Sequence, residues 1–258
     1  MSTISVLGCG WLGQPLAKQL VEQGHDVKGS TTTESKIQTL EFFKVQPFLL
    51  KVSDLIHTTT EFLDSEILII CVPRKKLVDV DELINKIERS NIKHVLFISS
   101  TSVYYEDDII TVEISDLKPT PLAKMEEAFR FNACFTSTIL RFGDLFGYER
   151  NPINFMPKGK KMTNPQGMLN MIHQDDCIAI ISKIIKNQVW KTTFNACADT
   201  HPTRNNFYTK IALEAGRSKP EFDQNSPFFS MEVNSDKLKN TLDYKFIHAD
   251  LMNLDLTK

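Results

Sequence analysis

The chain has 258 residues, 41% hydrophobic and 24% charged, with a formal net charge of −2. That length can bury one large core, or one core with a smaller lobe. The near-neutral balance without a Lys/Arg block argues against nucleic acid as a partner, and the lack of a membrane-length apolar run argues against a membrane. The five cysteines, Cys9, Cys71, Cys134, Cys177 and Cys197, are odd in number and dispersed, mostly in apolar segments. They lead to the expectation of reduced thiols and a cytoplasmic protein. The six histidines show no zinc-ligand spacing.

The first predicted strand runs from Thr3 to Leu7, and Gly8-Cys9-Gly10-Trp11-Leu12-Gly13 follows it. Leu16, Ala17, Leu20 and Val21 then recur at helical spacing between Gln14 and Gln23. Gly24 stops that helix, and His25 to Gly29 opens a second strand. A strand, a glycine turn, a helix and a strand in that order form a dinucleotide-binding unit. Its glycines allow a tight turn, a close approach to a pyrophosphate and close helix–strand packing, while the helix N-terminus presents N–H groups to the phosphates. Within the turn, the N–H of Cys9 is expected to matter more than its thiol.

An acidic residue at the end of the second strand would bind the ribose 2′-hydroxyl of NAD. Here the chain reads Gly29-Ser30-Thr31-Thr32-Thr33, with Lys36 close behind. Hydroxyls and a lysine suit a 2′-phosphate, so NADP is expected, with NAD as the alternative. The same residues would also serve to turn the chain and cap a helix.

Glu66 to Pro73 is an unbroken apolar strand, Val80 to Ser90 is helical in spacing, and Val95 to Ser100 is another central strand. Met125 to Phe131 reads as helix and Ser137 to Phe142 as strand. The alternation predicts an α/β, doubly wound parallel sheet of Rossmann type. Ligands of such sheets bind beyond the carboxyl ends of the strands, which places Pro73, Ser100 and Gly143 on that rim. Residues 1–150 are assigned to the NAD(P)-binding domain. Residues 151–258 form a small C-terminal α/β substrate lobe interleaved with it, with a Pro/Gly/Lys-rich loop to Gly167, a helix opening at Cys177, a strand from Thr193 to Ala196 and a helix from Asn205 to Gly216.

At the fifth strand, "HVLFISSTSVYY" resembles the segment of extended short-chain dehydrogenases/reductases that reads strand, Ser-Ser, two residues, Val-Tyr. "VEISDLKPTPLAK", "LRFGDLFGYERNP", "MIHQDDCIAII", "FNACAD" and "VNSDKLKNTLDYKF" resemble later segments of that family, in the same order. The chain therefore resembles the NAD(P)-dependent epimerase/dehydratase group, whose members often act on nucleotide sugars. It departs from the pattern twice. Residue 7 is Leu where the usual turn has its first glycine, so Gly8, Gly10 and Gly13 resemble the atypical branch. The Tyr-x-x-x-Lys pair is also incomplete: Lys124 stands where the lysine belongs, but Thr120 is four residues before it, and a one-residue slip gives Pro119 and Ala123.

The resemblance implies catalytic roles for Ser100, which matches the catalytic Ser/Thr, and Lys124, which would bind nicotinamide ribose. Tyr104 is the phenol that would border the substrate pocket, either as a substitute acid or as an ordinary aromatic of the pocket wall. Gly8, Gly10, Trp11, Leu12, Gly13, Ser30, Thr31, Thr32, Lys36, Val72, Pro73 and Lys124 are the expected cofactor-binding residues, and no metal is expected. Arg141 is expected to be structural or at a pocket edge, and Arg150 and Asn151 to meet an anionic substrate or solvent. Asp175 and Asp176 are expected to cap the helix at Cys177, and His173 to be structural. Three functions remain open: an atypical epimerase/dehydratase-like oxidoreductase with a small-molecule substrate such as a nucleotide sugar or polyol, a non-catalytic NADP(H)-binding sensor, or a hydroxyacid dehydrogenase. The "FNACAD" strand argues against the last, which would need a mainly helical C-terminal domain. The sequence leaves the oligomeric state open.

Overall fold

A computed structural model describes residues 1–57, 61–73, 77, 79–106, 110–157, 159–254. The chain opens with β1 (Thr3–Leu7), α1 (Gly13–Glu22) and β2 (Asp26–Thr31). α1 turns Leu16, Ala17 and Leu20 inward, the stripe its spacing predicts. After a short 3-10 turn come α2 (Ile37–Phe42), β3 (Gln46–Leu49) and α3 (Val52–His57). β4 (Ile67–Ile70) is buried at every residue, as a central parallel strand must be. α4 (Val80–Glu88) and β5 (His94–Ser100) follow, then β6 (Ile110–Thr111), α5 (Pro121–Arg130) and β7 (Thr136–Phe142). The remaining elements are β8 (Asp144–Phe146), β9 (Met171–His173), α6 (Gln174–Asn187), β10 (Thr193–Ala196), α7 (Arg204–Glu214), β11 (Glu232–Val233) and α8 (Asp236–Leu242).

Seven strands form one parallel sheet in the order β10-β7-β5-β4-β1-β2-β3. The order reverses direction between β1 and β4, the switch point at which such sheets bind ligands. The expected doubly wound α/β fold is therefore present. The structure shifts several boundaries: α5 begins at Pro121 rather than Met125, and α6 at Gln174 rather than Cys177.

The chain divides into two compact units: 1–99, 119–140 and 181–193 form one, and 100–118, 141–180 and 194–258 form the other. The first carries β1 to β4 and helices α1 to α5. The second has its own apolar core, in which Phe146, Leu169, Met171 and Phe207 are buried together with Ile211 and Leu251. No helix among the described residues is long and apolar enough to cross a membrane.

Candidate functional site

In the first unit, the three turn glycines have three different environments. Gly8 has φ +100°, a conformation that disfavours any Cβ, and a Cβ there would stand 2.7 Å from Val72 Cγ1. A Cβ at Gly13 would collide with the carbonyl oxygen of Gly8, so α1 packs onto the turn only without a side chain there. A Cβ at Gly10 would meet nothing within 4 Å. These are the tight-turn, close-packing and close-approach positions of a dinucleotide turn. Helix α1 begins at Gly13; in its first turn Gln14 donates its N–H to the Gly10 carbonyl at 3.1 Å, Leu16 donates to Leu12 at 3.2 Å, and Pro15 has no N–H.

The turn walls one end of a cleft of about 500 Å³. Gly8, Cys9 and Gly10 line it with Ser30, Thr31, Thr32 and Thr33 after β2, and with Val72 and Pro73 after β4. Lys36, Lys51 and Ser53 line it too, and no carboxylate is among the described lining residues. Lys51 and Ser53 were not foreseen, because they follow a four-residue strand that carries no clear alternation. The cradle fits a dinucleotide: it joins an open glycine approach to two ammonium groups.

Some expected roles change. Ser30 is 2% exposed, and its Oγ accepts the N–H of Gly8 at 2.8 Å. It therefore braces the turn from beneath rather than reaching for a 2′-phosphate. The Cys9 N–H donates to the Ser30 carbonyl at 2.7 Å, so it too holds the turn and is not offered to phosphate. The Cys9 thiol is buried, and burial pushes its pKa up to about 12 against the pull of Lys36. Thr31 Oγ1 accepts the Thr33 N–H at 3.1 Å, which leaves Thr32 and Thr33 with the exposed hydroxyls. Trp11, Leu12 and Gly13 are not among the cleft walls, and Leu12 is buried. Lys124 is exposed in the first turn of α5 and does not line the cleft either. Thr120 is the N-cap of α5, its Oγ1 accepting the Ala123 N–H at 3.2 Å. The position four before Lys124 is thus a capping position at the helix mouth.

In the second unit, Ser100 lies at the end of β5, half-buried, and its Oγ accepts the Ser102 N–H at 3.2 Å. It opens on a polar pocket of about 170 Å³ that also presents Glu106, Asp144, Asn164 and Arg204. Glu106 pairs with Lys118 at 3.1 Å. Asp144 is held above the usual carboxyl range by the crowding of the pocket around it, opposed by Arg204 and Arg150. Asn164 donates Nδ2 to the Phe229 carbonyl at 2.7 Å, while its buried Oδ1 has no protein partner. Arg204 Nε holds the Thr163 carbonyl at 3.2 Å, with the guanidinium over the Tyr208 ring. Asp144 lies within a stretch singled out from the sequence, whereas nothing local marks Asn164 or Arg204.

Tyr104 corrects the expectation of a substitute acid. It is fully buried, does not line this pocket, and its hydroxyl donates to Asn195 Oδ1 at 2.7 Å. The same oxygen accepts from Arg141 Nη1 at 2.5 Å, and the guanidinium lies 4.9 Å over its ring. Burial raises the phenol's pKa, opposed by Arg141 and Asn195. Arg141 is wholly buried and also donates to the Glu113 carbonyl at 3.1 Å, so it is structural. Asn151 caps a 3-10 turn through the Ile153 N–H, and the exposed Arg150 closes a tight turn with Gly147. Asp176 lies inside the first turn of α6 rather than ahead of it. Its carboxylate accepts from the Tyr244 hydroxyl and from the N–H groups of Ile247 and His248.

Residues 3–102 match the family described as NADP oxidoreductase, coenzyme F420-dependent. A structure from Methylobacillus flagellatus, provisionally described as an NAD-dependent epimerase/dehydratase, superposes with a TM-score of 0.78 at 25% identity, over 96% of this chain and 94% of that one. The chain thus has a Rossmann-type fold like that of this epimerase/dehydratase-like structure. A UDP-glucuronic acid 4-epimerase variant from Bacillus cereus, in complex with a fluorinated UDP-glucuronic acid and NAD, shares the fold. Its TM-score is 0.78 at 17% identity, over 97% and 96% of the two chains. Protein YeeZ of Escherichia coli strain K12 is 28% identical over 239 residues, 86% of this chain and 87% of that protein.

Proposed function

We propose that this protein is an NADP(H)-dependent oxidoreductase of the epimerase/dehydratase kind, acting on a nucleotide sugar or a related polyol. The observation that carries the cofactor is the cleft of the first unit. Its glycine turn leaves room for a pyrophosphate only at Gly10, and its described lining holds Lys36 and Lys51 without an opposing carboxylate. Two cations with no acid suit a 2′-phosphate better than a ribose 2′-hydroxyl. When bound, the nicotinamide accepts or returns a hydride.

Substrate is assigned to the Ser100 pocket of the second unit. The Ser100 hydroxyl donates to a substrate oxygen, and Arg204 holds an anionic group. Asp144 takes the place of the family phenol in proton transfer. It is the carboxylate of that pocket without an ammonium partner at salt-bridge distance, since Glu106 is paired with Lys118. Related proteins whose names specify UDP-sugars support this substrate class.

A second reading, a non-catalytic NADP(H)-binding sensor, is favoured by Thr120 serving as a cap and Tyr104 being locked in the core. One experiment separates the two. A panel of nucleotide sugars and polyols is assayed with NADP(H) for slow turnover. The enzyme reading expects turnover that falls about 10²-fold or more in Asp144→Asn, the loss of one acid–base group, at unchanged NADPH affinity. Tight NADPH binding with no turnover on any substrate transfers preference to the sensor.

A further inference from the structure

Within the second unit, three potential metal ligands converge from three segments. His173 ends β9, Asp175 lies in the first turn of α6, and His248 lies in the C-terminal segment. Their ligand atoms all lie within 4.8 Å of one another. His248 Nε2 is 2.9 Å from Asp175 Oδ2, and His173 Nδ1 is 3.2 Å from the same oxygen. The two imidazoles are stacked at a tilt, with centroids 3.7 Å apart.

Those spacings are informative. Bonds of about 2.0–2.2 Å to a tetrahedral zinc ion put neighbouring ligand atoms roughly 3.3 Å apart. The two imidazole–carboxylate distances are already close to that edge. His173 Nδ1 accepts the Asp175 backbone N–H at 3.1 Å, so it is the unprotonated nitrogen of that ring, and in ligating an ion it would exchange this hydrogen bond for the metal. The supporting shell is in place as well. Tyr148 donates its hydroxyl to Asp175 Oδ1 at 2.9 Å, leaving Oδ2 to the imidazoles. A Cβ at Gly147 would stand 2.6 Å from His173 Nε2, so the backbone fixes that ring.

The cluster opens on its own cavity of about 510 Å³, lined by Tyr148, Ile247, Asp250 and Asn253 besides the three ligands. His173 is nearly buried, while the side chains of Asp175 and His248 are 31% and 28% exposed. Three protein ligands with an open side match a site that keeps one coordination position for water or an exogenous oxygen ligand.

We propose that His173, Asp175 and His248 form a binding site for one divalent transition-metal ion of zinc type, with its fourth position facing this cavity. Two imidazole nitrogens and one carboxylate oxygen are a borderline donor set. It favours such ions over magnesium or calcium, which prefer all-oxygen shells. The site stands apart from the cofactor assignment, because none of its residues lines the dinucleotide cleft.

The test is zinc titration by calorimetry on untagged, chelator-treated protein, with magnesium and cobalt(II) as parallel probes. The expected result is one equivalent of zinc, no magnesium heat, and a cobalt(II) complex with visible absorption bands of low-coordinate geometry. His248→Gln and Asp175→Asn should each weaken zinc binding 10-fold or more. Both lie at a partly open surface, and an unchanged NADPH titration checks that the protein remains folded. No zinc binding by the wild type, or zinc binding unchanged in folded His248→Gln and Asp175→Asn, overturns the proposal.

Discussion

Tyr104 and the turn glycines show what single residues do here. Tyr104 belongs to a buried network: its hydroxyl bridges Arg141 and Asn195, and the Asn195 N–H in turn reaches Glu113 Oε1 at 2.9 Å. Removing the hydroxyl leaves a buried guanidinium and a buried amide short of a partner, at about 1–3 kcal/mol. Tyr104→Phe should therefore lower the thermal midpoint while leaving NADPH affinity intact, as calorimetry and titration would show. Its place in the sequence, just after a strand end, gave no sign of this, since burial depends on residues 37 and 91 positions away. The glycines were legible because each role is local. Their roles separate on substitution: Gly13→Ala pushes a methyl into the Gly8 carbonyl, and such overpacking costs about 1–3 kcal/mol. Gly10→Ala meets open space, so its thermal midpoint should stay near that of the wild type. Equal destabilisation by the two would contradict the assignment.

At the scale of elements, the long periodic segments were readable and the short ones were not. α1, β4 and β5 stand out because their apolar spacing repeats over several residues. β3 is four residues long at the sheet edge and includes Pro47, which a central strand would not tolerate. Lys51 and Ser53 follow this short strand and carry no periodic signal of their own. The start of α5 is set by Thr120-Pro121, a cap followed by a first-turn proline, and not by the apolar spacing from Met125 onward. The β3–α3 segment also carries a prediction. If Lys36 and Lys51 face a 2′-phosphate, Lys51→Glu should weaken NADPH about 10-fold or more and leave NADH nearly unchanged. The ratio of the two dissociation constants is the measurement. An equal loss for both cofactors would remove Lys51 from phosphate recognition.

For the whole molecule, the alternation of strands and helices predicted the sheet, because a parallel sheet requires a crossover between neighbours. How the chain shares itself between two units was less open to reading, since the segments that leave the sheet beyond β5 and β7 have no distinctive composition of their own. The C-terminal segment is fixed by Asp176, whose three acceptor contacts join Tyr244, Ile247 and His248 to α6 across about 70 residues of sequence. The central claim is that the glycine cleft of the first unit holds NADP(H). It is tested most directly by titrating NADPH into the wild type and Gly10→Glu while following nicotinamide fluorescence, with circular dichroism to confirm folding. The wild type should bind, and more tightly than it binds NADH. The Gly10→Glu protein should fold equally well and not bind, because its carboxylate occupies the phosphate approach. A wild type that binds neither NADPH nor NADH, or a Gly10→Glu protein that binds as the wild type does, would contradict the account.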